Sequence, residues 1–189
     1  MVVYMIILAS KSSRRAKLLE DAGIEFTVVP SEINEEVDSK LKPQELVSLL
    51  SLQKALDVQK RRPNDTIIGA DTVVIFENEI FGKPKDEEDA FRMLKMLSGE
   101  THQVITSVTI LKKDVKKVII SEALVTMKKY SDLEIREYIQ TKEPMDKAGS
   151  YGIQGEGGKL VDHFKGDFFT IVGLPLKDVL EVLKSLDNK

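Results

Sequence analysis

Apolar and polar positions along this chain follow two alternating periods. Val2 to Ala9 is a continuous apolar run, too short to cross a bilayer and of the length and composition of a buried strand. Ser10-Lys11-Ser12-Ser13-Arg14-Arg15 follows, and the segment to Ala22 predicts a helix that Ser12 or Ser13 can cap and Gly23 can end. Phe26 to Val29 predicts a short strand stopped by Pro30, with an acidic stretch, Ser31-Glu32-Ile33-Asn34-Glu35-Glu36, after it. From Pro43 to Arg61, Leu46, Leu49, Leu50 and Leu56 recur near helical spacing, and Lys54 lies inside the segment. Thr66 to Phe76 is rich in Ile and Val and predicts a buried strand. Glu77-Asn78-Glu79 then turns into a short strand leading to Lys83, and Asp86 caps a helix that carries Ala90, Met93, Leu94 and Leu97 on one face and stops at Gly99.

The second half shifts toward antiparallel pairing. His102 to Lys112 and Val115 to Lys129 predict a hairpin around Lys113-Asp114. Ser131-Asp132-Leu133-Glu134 has the form of a capping box and opens a helix reaching about Thr141. A glycine-rich loop runs from Lys142 to Gly158. Leu160 to Phe164 and Phe168 to Val172 are expected to pair as strands around a Gly166-Asp167 turn, and Pro175 to open a last helix. The pattern is α/β with a mixed sheet. No repeat, linker or low-complexity tract divides it, and 189 residues fit a single domain, 1–189, long enough to bury a sizeable core.

Composition narrows the chemistry. A net charge of -3 argues against a general nucleic-acid or membrane-surface binder, so any polyanion site must be local. The start of the chain lacks a signal-peptide cleavage pattern. With no cysteine there is no disulfide, thiolate metal site or thiol nucleophile. Two histidines, His102 and His163, do not make a His-rich zinc site, and neither has an evident orienting partner, so both read as structural or exposed. A metal would have oxygen ligands, which suits Mg2+ or Mn2+.

Three blocks carry candidate chemistry. Asp71 is the single carboxylate within the apolar run Thr66 to Phe76, and a lone buried charge costs several kcal/mol, about the penalty for leaving an ion unpaired in the interior. Two readings are open: a strand-end turn cap, or a group held for a metal or a catalytic task. Lys11, Arg14 and Arg15 stand at a predicted helix start, where the dipole and free N–H groups favour anions and cations are out of place. They are a solvated basic face or, since guanidinium forks fit phosphate oxygens, a phosphate site. Asp146-Lys147-Ala148-Gly149-Ser150-Tyr151-Gly152-Ile153-Gln154-Gly155 matches neither the Walker nor the dinucleotide pattern. It is an ordinary turn-rich connection, or a loop whose glycines approach a ligand while the Gln154 amide reads a base edge.

Together with Leu8-Ala9-Ser10-Lys11-Ser12-Ser13-Arg14-Arg15, Gly69-Ala70-Asp71-Thr72-Val73-Val74, Gly82-Lys83-Pro84, Leu97-Ser98-Gly99 with His102, and Val172-Gly173-Leu174-Pro175-Leu176, that loop resembles the signature blocks of the Maf family, in the family's order. The resemblance implies an α/β fold with a mixed, twisted central sheet flanked by helices, similar to inosine triphosphatases, and a cleft between two lobes. It implies a cytoplasmic, usually dimeric, nucleoside triphosphate pyrophosphatase that needs a divalent metal and is linked to septum formation and to cleansing of nucleotide pools. A nucleotide is then the partner, with no nucleic acid or membrane. Carried over by position, Asp71 is the catalytic acidic residue and a metal ligand, Glu35 the second acidic residue on the metal, and Ser10, Arg14, Arg15, Lys54 and Lys83 face the phosphates. Ser13 departs from the family's usual proline, which predicts a less preorganised first turn. Thr72 and Gln154 match the branch acting on dTTP and UTP, whereas 7-methyl-GTP pyrophosphatases have glutamine at the position of Thr72. The rival readings are an enzyme for 7-methyl-GTP or another modified nucleotide, and a nucleotide-binding regulator of septum formation without catalysis.

Overall fold

The computed structural model describes residues 5–34 and 41–187. The chain is α/β, with seven strands in one mixed sheet in the order β2-β1-β3-β5-β6-β7 and β4 paired to β3. The strands are β1 (Ile6–Leu8), β2 (Phe26–Val28), β3 (Thr66–Phe76), β4 (Glu79–Phe81), β5 (Thr101–Lys112), β6 (Val115–Met127) and β7 (Val161–Gly166). The helices are α1 (Ser13–Asp21), α2 (Pro43–Arg61), α3 (Glu87–Leu97), α4 (Asp132–Gln140), α5 (Phe168–Val172) and α6 (Leu176–Asp187). β1 is parallel to both β2 and β3, Ile7 lying beside Thr27 and Ile67. β4 is antiparallel to β3, and β7 to β6. No helix among the described residues is long and apolar enough to cross a membrane.

Local chemistry sets the helix ends. The Ser12 hydroxyl accepts from the Arg15 N–H at 3.4 Å, and the Asp86 carboxylate accepts from the Asp89 N–H at 2.8 Å. Ser131 and Glu134 close a reciprocal capping box at the start of α4. The expected strand at Phe168–Val172 is instead helical. Its cause is Asp167, whose carboxylate accepts from the Thr170 N–H at 2.8 Å and from its hydroxyl at 2.9 Å, an N-cap arrangement. β7 pairs with β6 in its place, Val125 beside Phe164. The glycine-rich segment condenses into short 3-10 turns at Glu143–Asp146, Ala148–Ser150 and Gly155–Leu160.

The chain divides into two compact units. The first comprises Met1–Asp71, Thr106–Ser121 and Gly173–Lys189, and its core includes Ile7, Ala9, Ala55, Val58, Ile67 and Leu111. The second comprises Thr72–Ile105 and Glu122–Val172, with Phe81, Met93, Leu94, Leu97, Val104, Val125 and Ile135 at its centre.

In the first unit, α2 lies close against β3. A Cβ on Gly69 would sit 2.4 Å from the Ser51 carbonyl oxygen and 2.8 Å from the Ala55 nitrogen, so only glycine admits the helix at this distance. Alternate strand residues share a face, so Asp71 points to the same side as Gly69. Lys54, in the turn between Ser51 and Ala55, faces it. The same helix face carries Ser51, whose hydroxyl lies 3.0 Å from that of Ser107 and 2.8 Å from that of Thr109 on β5.

Candidate active site

Asp71 and Lys54 form a buried ion pair, Nζ to Oδ1 2.6 Å, with side chains 9 % and 10 % exposed for Lys54 and Asp71 respectively. The partner that the sequence requires for Asp71 is thus an ammonium delivered by α2. Burying both ions costs solvation that their attraction only partly returns, so the pair is a poor device for stability alone. A carboxylate and an ammonium fixed in a low-dielectric setting are, by contrast, strong reagents toward a charged ligand.

Arg15 braces the neighbouring backbone. Its Nη1 donates to the Ser10 hydroxyl at 3.1 Å and to the Ala70 carbonyl at 3.0 Å, and its Nε donates to the Gly173 carbonyl at 2.7 Å. One guanidinium therefore ties the end of β1 and the middle of β3 to the turn before α6. The Ser10 hydroxyl also accepts from the Ser12 N–H at 3.2 Å. Through these bonds Ser10, Arg15, Ala70, Asp71 and Lys54 form one cluster at the start of α1. The first turn of α1 holds no acidic residue, and Arg14 lies on it, half-buried. Helix N–H groups and guanidinium charge in one place suit a multiply charged anion. Ser13 is the first residue of α1, so Ser12 supplies the cap.

The remaining predicted residues lie in the second unit or outside the described residues. Thr72 follows Asp71 on β3 and is half-buried. Lys83 is exposed just after β4, where the preceding Gly82 carbonyl accepts from the Gly149 N–H at 3.1 Å. Gln154 is exposed at the start of the 3-10 turn Gly155–Leu160. Glu35 lies outside the described residues, and among those described no group of three or more acidic or histidine side chains could hold a metal by itself. A magnesium ion needs less, since one or two carboxylates plus substrate phosphates suffice, and the Asp71 carboxylate fits that donor set.

Of the two histidines, His102 is buried and His163 exposed. His163 is exposed beside Asp162, Nδ1 to Oδ2 2.8 Å. His102 is buried, Nε2 2.6 Å from the Tyr151 hydroxyl, its Nδ1 without a hydrogen-bond partner. Burial lowers its pKa to about 4, so the ring is neutral, and burial raises that of the Tyr151 phenol.

The Maf-like protein family model matches residues 5–186. The chain belongs to the Maf family. It is 51% identical over 184 residues to a protein of Acholeplasma laidlawii named dTTP/UTP pyrophosphatase, covering 97% of each chain. Proteins of the same name from Bacillus pumilus and Bacillus cereus are each 44% identical, over 95% and 96% of this chain and 95% of theirs.

Against the Maf blocks, sequence reasoning missed several structural partners of the site. Gly69 admits α2, and Gly173 and Ala70 receive Arg15 through their carbonyls; the latter two contacts depend on backbone atoms whose approach no side-chain pattern encodes. Tyr138, on α4 before the glycine-rich segment, and Glu143, near its start, organise the segment and carry no local signature.

Proposed function

We propose that this chain is a nucleoside triphosphate pyrophosphatase that hydrolyses dTTP and UTP to the monophosphate and pyrophosphate. The observation that carries the reading is the buried Lys54–Asp71 pair beside the Arg15 brace. Nearly full-length relatives bearing the name dTTP/UTP pyrophosphatase support it. Cleavage between the α- and β-phosphates requires an activated water in line with the leaving pyrophosphate and neutralisation of the charge that develops there. Asp71 orients that water and accepts its proton. Arg14, Arg15 and Lys54 neutralise the triphosphate, Ser10 donates a hydrogen bond to it, and Lys83 shares the phosphate role. A divalent cation held by Asp71 and Glu35 would add charge neutralisation at the anhydride when bound.

Thr72 and Gln154 take the base-side roles. An amide offers both donor and acceptor to the imide edge of thymine or uracil, and a site built for that edge leaves groups unpaired against another base. In the cell the activity would cleanse nucleotide pools in the cytoplasm, with the family's link to septum formation. A second copy of this chain is the proposed partner: Val118, Ile120 and Leu124 alternate along β6 and are each more than two-fifths exposed, an apolar row of the kind that marks an interface.

Pyrophosphate release from dTTP, UTP, 7-methyl-GTP and purine triphosphates, with Mg2+, with Mn2+ and with chelator, tests the proposal. Metal-dependent turnover concentrated on dTTP and UTP is expected. Turnover confined to 7-methyl-GTP would reject the substrate assignment, and nucleotide binding without release would reject the enzyme.

A further inference from the structure

The glycine-rich segment is held on both sides of Gln154 by one carboxylate and the phenol bonded to it. Glu143 Oε1 accepts from the Tyr138 hydroxyl at 2.9 Å and from the Gly157 N–H at 3.0 Å, while Oε2 accepts from the Glu156 N–H at 3.1 Å. The Tyr138 hydroxyl in turn accepts from the Gly152 N–H at 3.3 Å. Gln154 therefore sits midway between two anchored stretches of backbone, Gly152 before it and Glu156-Gly157 after it. The fit is close: a Cβ on Gly157 would fall 2.4 Å from the Tyr138 hydroxyl oxygen. Here the glycine serves the scaffold, since the backbone approaches a phenol of its own chain.

Each anchor is itself fixed. Tyr138 is buried on α4 with Ile135 and Ile139, so helix packing sets the position of its ring. Glu143 opens the 3-10 turn after α4, its N–H donating to the Thr141 hydroxyl at 3.2 Å and its carbonyl accepting from Lys147 Nζ at 2.6 Å. Hydrogen bonds to an ionised carboxylate are stronger than neutral ones. A carboxylate shared among a phenol and two backbone amides is therefore the strongest point in this network. Gln154 makes no equivalent commitment, and its side chain is exposed.

We propose that Glu143, with Tyr138, is the positioning residue for base selection. It does not touch the nucleotide; it fixes the backbone that presents the Gln154 amide, so that the amide meets the pyrimidine edge already ordered. This rests on the assignment of Gln154 to the base. Freeing the segment would shift the cost of its ordering to the binding step, which predicts a KM effect specific to pyrimidine triphosphates, with chemistry at Asp71 left intact.

The experiment uses Glu143→Gln, which keeps the shape but places an amide NH2 against a backbone N–H, and Tyr138→Phe, each made alone and with Gln154→Ala. Steady-state kcat and KM are measured for dTTP, UTP and ATP, and amide exchange is followed at Gly152, Glu156 and Gly157. The expected result is a KM for dTTP and UTP raised about three- to tenfold, the size of a lost hydrogen bond, with kcat within about twofold and ATP little changed. Exchange at the three amides should quicken. In the Gln154→Ala background the KM effect should vanish, because the two residues act as one unit. Equal losses on all three nucleotides, or full additivity with Gln154→Ala, would overturn the proposal. Unchanged exchange in both anchor variants would remove the clamp itself. A Gln154→Ala protein with no base-selective loss would instead remove the assignment on which the proposal rests, even with the clamp intact.

Discussion

The cluster around Asp71 and the glycine-rich segment solve the same problem, holding polar groups away from water, by opposite means. The first uses full charges: Lys54 on Asp71, and Arg15 on three oxygens contributed by Ser10, Ala70 and Gly173. The second combines neutral rings, with His102 on Tyr151 and the Tyr138 hydroxyl on Gly152, with one anchoring carboxylate, Glu143, that faces a phenol and backbone amides instead of a buried countercharge. Charges in a low-dielectric setting are strongly coupled, so removing one strands another. Neutral hydrogen bonds fail singly and by smaller amounts. Substitutions in the first region should therefore act steeply on both chemistry and stability, and those in the second should act gradually and selectively.

The steepest effect belongs to Asp71→Asn, which keeps the shape and removes the charge. Losing a general base or metal ligand costs about 10²- to 10⁴-fold in turnover. Pyrophosphate release should fall by that amount while circular dichroism shows the fold retained. Turnover near the wild-type level in a folded protein would separate Asp71 from the chemistry and erase the contrast between the two regions.

Next comes Lys54→Met, which fills the space of the lysine stem without its charge. It leaves the Asp71 carboxylate buried without the ammonium that faces it, a change that typically costs about 3–5 kcal/mol when one partner of a buried pair is removed. Urea unfolding should show the loss, and the double variant Lys54→Met with Asp71→Asn should recover a good part of it. A double variant no more stable than Lys54→Met would mean that the pair is not coupled as its geometry requires.

The same contrast explains what was legible in the sequence. Helix ends were readable because their causes are local: Ser12, Asp86 and Ser131 each cap a turn within three residues. Thr66–Phe76 was readable because its β-branched run is long. Phe168–Val172 was not, because five residues of mostly apolar character show no period, and a single cap at Asp167 decides between strand and helix. In the candidate site, the need of Asp71 for a partner could be inferred from burial, but its partner could not. Lys54 meets it only because Gly69 lets α2 approach β3. Arg15 was legible as a phosphate candidate and illegible as a brace, since its acceptors are backbone carbonyls brought in from Ala70 and Gly173. The glycines of the loop could be read as approaching a ligand. At Gly157 the neighbour is Tyr138, a relation set by the packing of α4.

His102 gives the second region its largest expected effect. Its folded pKa of about 4 lies below the ordinary 6.5 because burial disfavours the imidazolium. Between these values the unfolded chain binds a proton that the folded chain does not, so stability falls as pH falls from 6.5 toward 4 and levels off below. At pH 5 the cost is about 2 kcal/mol, taking 1.36 kcal/mol per pH unit. Urea unfolding of wild type and His102→Gln at pH 7 and pH 5 isolates the contribution, since the other titrating groups are common to both. Wild type should lose about 2 kcal/mol more than the variant on acidification. Parallel pH dependences would show that the ring titrates normally, and the glycine-rich segment would then not be held by a neutral pair.

The smallest effect is the most selective. Gln154 is exposed and bears no structural load in the clamp around it, so Gln154→Ala should leave stability within about 0.5 kcal/mol of wild type, as for an ordinary surface substitution. Its cost should appear only where the amide meets a base. A hydrogen bond of this kind contributes about 0.5–1.5 kcal/mol, a loss of up to about tenfold in kcat/KM for dTTP and UTP. Purine triphosphates, which do not offer the imide edge, should change less than the pyrimidines. The comparison with Asp71→Asn then becomes quantitative: one substitution removes turnover from every nucleotide, and the other reorders preference among them. An equal loss on all nucleotides would move Gln154 to the phosphates or to the scaffold. Base selection would then have to rest on Thr72, and Thr72→Gln, the residue typical of the 7-methyl-GTP branch, would become the variant that decides it.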